Sequence, residues 1–374
     1  MDQKKFVGYY AAWTANAGFT PANIDPSGLT HILYAFANIG PDLRITPGYP
    51  MLDPYNFELL RQLKQGNPGL KTLISVGGWT WSGLFSNVAL SEESRLAFSE
   101  SSCDFIRKYG FDGVDIDWEY PVSGGLPTNI RRPEDRQNFT LLLRTLRETL
   151  DRCGSEDGTE YLLSIAGGVG SFYPQNTELS QIHPYLDFAS IMSYDIHGTW
   201  DAYTDFNAPL YLNNDVSPQY KWSADSGVQE WYRAGFPLDK LLLGIPYYGY
   251  LYSSVNQDNN GLYQQYYGAN AISYSQVASD YLNAPQYSRF FHPESKVPWL
   301  FDDSIFISYD DPESIRYKAD YIQQNGLGGA MVWEFSQDPD HVLQTALSGF
   351  LRDHAYPAGN GIPGSERSRR SSPR

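Results

Sequence analysis

The chain runs to 374 residues, 41% hydrophobic and 19% charged, a balance that allows a large core and excludes an intrinsically disordered protein. Its net charge of −16 argues against nucleic acid and anionic membranes as partners, and no apolar run approaches the ~20 residues needed to cross a bilayer. Aromatic residues are abundant at 15%, with 29 Tyr and 9 Trp; most suit a Tyr-rich core, but flat faces with polar tips also suit a wet binding groove.

The first residues, Met1 to Lys5, lead directly into a strand-like run, so no signal peptide is expected in this numbering. Short β-branched and aromatic runs predict strands at 6–13, 30–39, 71–79, 111–119, 161–168, 187–195, 241–248 and 328–335. Amphipathic stretches between them predict helices, among them 55–65, 91–109, 133–153 and 312–325. Alternating β and α units imply a parallel sheet, and eight of them imply a closed (β/α)8 TIM barrel. One connection breaks the rhythm. Residues 250–307 separate strands seven and eight, and a structureless loop of that length does not suit a compact domain. The expectation is a small α+β insertion forming one wall of a cleft, with the barrel made of 1–249 and 308–356. The tail at 357–374, rich in Pro, Gly, Ser and Arg, is expected to be disordered.

Cys103 and Cys153 each fall on an expected helix. Two buried free thiols and a disulfide between neighbouring helices are both open, the second fitting an oxidising compartment. Asn138-Phe139-Thr140 has the form of a glycosylation acceptor, a triplet that is also common by chance.

The run Asp112-Gly113-Val114-Asp115-Ile116-Asp117-Trp118-Glu119 carries the chemistry. Alternate side chains of a strand share a face, so Asp115, Asp117 and Glu119 point the same way, roughly 6–7 Å from one to the next. Inside a barrel such like charges cannot all stay ionised, so protons are held and shared. A solvent-facing edge strand would explain the alternation, but Phe111, Val114 and Ile116 read as buried. A Mg²⁺ or Ca²⁺ site would use carboxylates too, yet no His cluster or phosphate loop accompanies them; no metal and no cofactor is expected. Glu119 ends its strand on the side where barrel enzymes place their active sites.

These residues resemble the DGxDxDxE signature of glycoside hydrolase family 18, the chitinases. Ser75-Val76-Gly77-Gly78 is similar to that family's SxGG motif, Met192-Ser193-Tyr194-Asp195 to its MxYD, and Met331-Val332-Trp333 to its closing Trp. The four fall in family order over residues 6–350, and the insertion resembles the α+β domain of the deep-groove branch. The resemblance implies a secreted, monomeric, retaining enzyme acting on chitin and chitooligosaccharides through substrate assistance, in which the sugar's own acetamido oxygen attacks C1. Glu119 would be acid and then base, Asp117 would hold the acetamido N–H, and Asp115 would share a proton with Asp117. Tyr194 would donate to the acetamido carbonyl. Asp195 and Met192 would contact the same sugar over a floor formed by Trp333, with Tyr9 and Phe36 lining the pocket. Trp13, Trp79, Trp200 and Trp299 would stack on sugars along the groove, while Asp112, off the acidic face, would be structural. Pro246-Tyr247-Tyr248-Gly249-Tyr250 departs from the branch's usual Pro-x-Tyr-Gly-Arg: Tyr248 fits, but Tyr250 stands in place of Arg. Two other readings use the same fold. A chitin-binding lectin typically lacks the acid Glu, which is present here; an endo-β-N-acetylglucosaminidase would act on protein-linked glycans.

Overall fold

A computed structural model describes residues 4–353, so the tail expected at 357–374 lies outside the described residues. In chain order the strands are β1 (Lys5–Ala11), β2 (His31–Ile39), β3 (Ile45–Thr46), β4 (Lys71–Gly77), β5 (Gly113–Asp117), β6 (Leu162–Gly168) and β7 (Phe188–Met192). They continue as β8 (Leu241–Pro246), β9 (Tyr248–Ser253), β10 (Gly268–Ser273), β11 (Ser288–His292), β12 (Val297–Phe301), β13 (Phe306–Ser308) and β14 (Gly329–Trp333). β1, β2, β4, β5, β6, β7, β8 and β14 pair in parallel, and β1 bonds both β2 and β14, which closes the barrel.

The barrel strands are buried on both faces, as parallel sheets covered by helices must be. Val7, Leu33, Leu73, Phe188, Leu242 and Met331 fill the interior. Their chain neighbours Phe6, Ile32, Ile74, Ala189, Leu243 and Val332 pack outward into a second cluster shared with the helices. Asp115 and Asp117 belong to the inward set, alternating with Val114 and Ile116, which point out.

Local chemistry sets the helix ends. Ser91 caps the helix Glu92–Tyr109 by accepting from the Ser94 N–H, and Gly110 ends it with φ 77°, a left-handed conformation that costs glycine little. Asp311 caps Pro312–Gln324 in the same way as Ser91. Cys103 and Cys153 form a disulfide between the helices Glu92–Tyr109 and Asp135–Asp157. Asp112 accepts from the Thr72 N–H at 2.7 Å and pairs with Lys64, tying β4 to the start of β5.

The long connection holds an antiparallel sheet of its own, in the order β10-β9-β13-β12-β11. The seventh barrel strand ends at Pro246 rather than at 248, and Tyr248 already opens β9. Trp299, expected on the groove, requires correction. It is 7% exposed on β12, its ring stacked on Phe290 at 5.1 Å and its indole N–H donating to the Asn260 carbonyl. Strand alternation turns it into the insertion's own core.

Candidate active site

A cavity of about 450 Å³ opens at the C-terminal ends of the barrel strands. Tyr9, Trp13, Phe36, Trp79, Asp117, Glu119, Met192, Tyr194, Asp195, Tyr248 and Trp333 all line it. Asp115 lies one layer deeper and is wholly buried. Trp200 is not on the cavity wall; it stands exposed with its edge against Tyr250, ring centroids 5.7 Å apart.

Strand register builds the acidic column. Asp115 is level with Ser75 on β4 and Ser164 on β6. Ser164 donates to Asp115 Oδ1 at 2.7 Å, while Ser75 and Tyr9 donate to Oδ2 at 2.7 and 2.9 Å. Burial raises the Asp115 pKa and these three hydroxyls oppose the rise. The proton expected to pass between Asp115 and Asp117 therefore needs qualification, because both Asp115 oxygens already accept from other groups. Asp117 Oδ1, by contrast, is buried with no hydrogen-bond partner among the described residues. Burial first, then the charges of Glu119 and Asp115, push Asp117 well above the usual carboxylate range.

Glu119 is 8% exposed at the cavity. Burial pushes its pKa up to about 7; the Tyr120 hydroxyl acts against the shift and the Asp195 charge adds to it. Its backbone is held on both sides: the N–H donates to Ser82 Oγ at 2.9 Å, and Asn129 Nδ2 donates to its carbonyl at 2.9 Å. Gly77, which ends β4, and Gly78 just after it make room. A Cβ on Gly77 (φ 102°) would sit 2.5 Å from the Asp117 carbonyl oxygen, and one on Gly78 (φ 69°) would sit 2.5 Å from the Phe36 ring.

Asp195 is raised by burial and lowered by two tyrosines that donate to its Oδ1, Tyr248 at 2.5 Å and Tyr250 at 2.6 Å. Burial, then Asp117, holds the Tyr194 pKa well above normal, so that its hydroxyl stays a neutral donor. Across the cavity Trp333 stacks on Phe36, with centroids 5.7 Å and planes 21° apart, and meets Tyr9 at 5.2 Å. Tyr49, Trp81, Tyr120, Val169 and Phe172 also line the wall and escaped the sequence reading. Two of them carried a signal: Trp81 follows Trp79 by two positions, and Tyr120 directly follows Glu119. Among the described residues no group of three or more His, Cys, Asp or Glu is placed to hold a metal ion, and no helix is long and apolar enough to cross a membrane.

A closed barrel that gathers acids at one strand's C-terminal end, beneath aromatic walls, has the form of a (β/α)8 enzyme with its candidate active site on the usual face. The chain belongs to glycosyl hydrolases family 18, whose model matches residues 5–338. It is 40% identical to chitinase A1 of Niallia circulans over 97% of this chain, and it spans 60% of that relative's length. Among solved structures it is similar to a family 18 N-acetylglucosaminidase from Paenibacillus barengoltzii (38% identity, TM-score 0.84, 93% of this chain and 99% of that one). It is similar also to chitinase ChiA74 from Bacillus thuringiensis (36% identity, TM-score 0.85, 93% and 70%).

Proposed function

We propose that the protein is a chitinase that cleaves β-1,4 bonds between N-acetylglucosamine units with retention, through an oxazolinium intermediate. The observation that carries this reading is the pair at the cavity floor. Burial pushes the Glu119 pKa up to about 7, and beside it Asp117 offers a buried oxygen with no partner among the described residues.

Glu119 enters protonated and gives its proton to the glycosidic oxygen as the bond to C1 breaks. The acetamido carbonyl oxygen of the same sugar closes onto C1 from the opposite side. Asp117 Oδ1 accepts the acetamido N–H and balances the positive charge that grows on that nitrogen. The positive charge on the sugar stabilises the Asp117 carboxylate against the burial that raises its pKa. Glu119, now a carboxylate, takes a proton from water, which opens the ring at C1 and restores the acid. Tyr194 donates to the acetamido oxygen, and Trp333 supports the sugar's apolar face.

Glu119→Gln should lower turnover of a chromogenic chitobioside by about 10²–10⁴-fold with the fold intact, and Asp117→Asn nearly as much. A Glu119→Gln enzyme keeping more than about a tenth of its activity would remove Glu119 as the acid. The likeness to the P. barengoltzii enzyme favours a second reading, release of single N-acetylglucosamine units. Products from a chitin hexamer separate the two: dimers and trimers support the first, monomers alone the second. The Cys103–Cys153 disulfide supports export to an oxidising compartment.

A further inference from the structure

Outside the cavity, residues 213–222 form a loop that presents aromatic rings to solvent. Tyr220 is 70% exposed, and its ring lies offset against that of Trp222, with centroids 5.8 Å and planes 21° apart. Between them Lys221 turns the other way, donating to the carbonyls of Asn213 and Asp215 and to the Asn213 side chain. This is the period of an extended chain: the exposed Tyr220 and the half-buried Trp222 on one side, the cation between them on the other.

The loop is anchored at several points. Asn213 donates to Ser295 at 2.8 Å, Asp215 meets His292 at 3.0 Å, and Gln219 donates to Asp205 at 3.0 Å. Rings held this way lose little freedom on binding, which favours affinity. The Trp222 indole N–H also donates at 2.9 Å to the carbonyl of Val169, which lines the cavity beside Gly168 and Gly170. Trp222 therefore adjoins, from outside the cavity, the segment after β6 that lines it.

Resting on the chitinase reading, we propose that Tyr220 and Trp222 form an outer sugar platform, binding pyranose faces of the same polysaccharide chain beyond the cavity. A pyranose presents axial C–H groups on a flat face, which an exposed phenol or indole covers while hydroxyls at the rim stay in water. Chitin supplies such faces in an unbroken series, whereas a two-sugar substrate occupies the cavity, whose lining does not include Tyr220 or Trp222.

The test compares the native enzyme, Tyr220→Ala and Tyr220→Trp on insoluble chitin and on a chromogenic chitobioside. For Tyr220→Ala, the ratio of the chitin rate to the chitobioside rate should fall about three- to tenfold, the range of one aromatic contact. Tyr220→Trp should hold the native ratio. An unchanged ratio in Tyr220→Ala, or an equal loss on both substrates, overturns the platform while leaving the chitinase reading intact. A native enzyme inert toward both substrates overturns the two together.

Discussion

The Tyr250 hydroxyl donates to Asp195 Oδ1 across 2.6 Å, beside Tyr248, which donates to the same oxygen. Tyr250 stands where the deep-groove branch usually has Arg. Two neutral donors steady Asp195 without cancelling its charge, and that charge helps push Glu119 up to about 7. Removing a nearby negative charge lowers a carboxyl pKa. Asp195→Asn and Tyr250→Arg should therefore both move the basic limb of the kcat/KM profile to lower pH. A limb that stays in place or moves up would show that Asp195 does not act on the acid.

Glu119 also links stability to pH. Its ordinary value is 4.5, and in the folded chain it sits at about 7. Below 4.5 both folded and unfolded states hold the proton, and there is no difference between them. As pH rises from there to about 7 the unfolded chain releases the proton first, so stability falls across that window and stays lower above it. A shift of this size corresponds to about 3 kcal/mol. Glu119→Gln should melt several degrees above the native protein at pH 8 and close to it at pH 4. Equal melting temperatures at pH 8 would contradict the buried, raised carboxyl.

Two tryptophans should separate cleanly. Trp299→Ala empties the core of the insertion's sheet and should cost about 3–5 kcal/mol of stability. Trp79, 51% exposed on the cavity wall, should lose little stability as Ala but raise KM for oligosaccharides. Denaturant titration and steady-state kinetics on both variants check the pair, and the opposite pattern would return Trp299 to the groove.

The disulfide bridges residues 50 apart in sequence. Closing a loop of that length is worth up to about 4 kcal/mol by restricting the unfolded chain. The double substitution of Cys103 and Cys153 by Ser should lower the denaturation midpoint accordingly, and reductant should do the same to the native protein. A midpoint indifferent to both would mean that the thiols do not pair.

How far the sequence could be read depended on how local each signal was. The period-2 acids on β5 were legible because a strand sorts its side chains by parity, and the neighbouring Val114 and Ile116 showed which face was which. The barrel strands were legible as apolar runs between helices, with ends misplaced by a few residues, as at Pro246. The insertion was visible as length and as a family resemblance: its antiparallel pairings, such as Trp299 with Ser308, join residues whose partnership no local pattern encodes. Trp299 is assigned to the groove by the family resemblance alone, and no local pattern marks its inside or outside. Tyr49 and Phe172 lie outside the barrel strands, where no periodicity marks the side facing the cavity. The serine and tyrosine hydroxyls around Asp115 come from three different strands and meet only through register.

Proton NMR of the first sugar ends released from the N-acetylglucosamine hexamer tests the central claim most directly. Attack by the acetamido oxygen followed by water at C1 inverts that carbon twice, so the account predicts that new reducing ends appear as the β anomer before mutarotation. Initial release of the α anomer would mean a single displacement by water, and would contradict both the oxazolinium route and the roles given to Asp117 and Glu119.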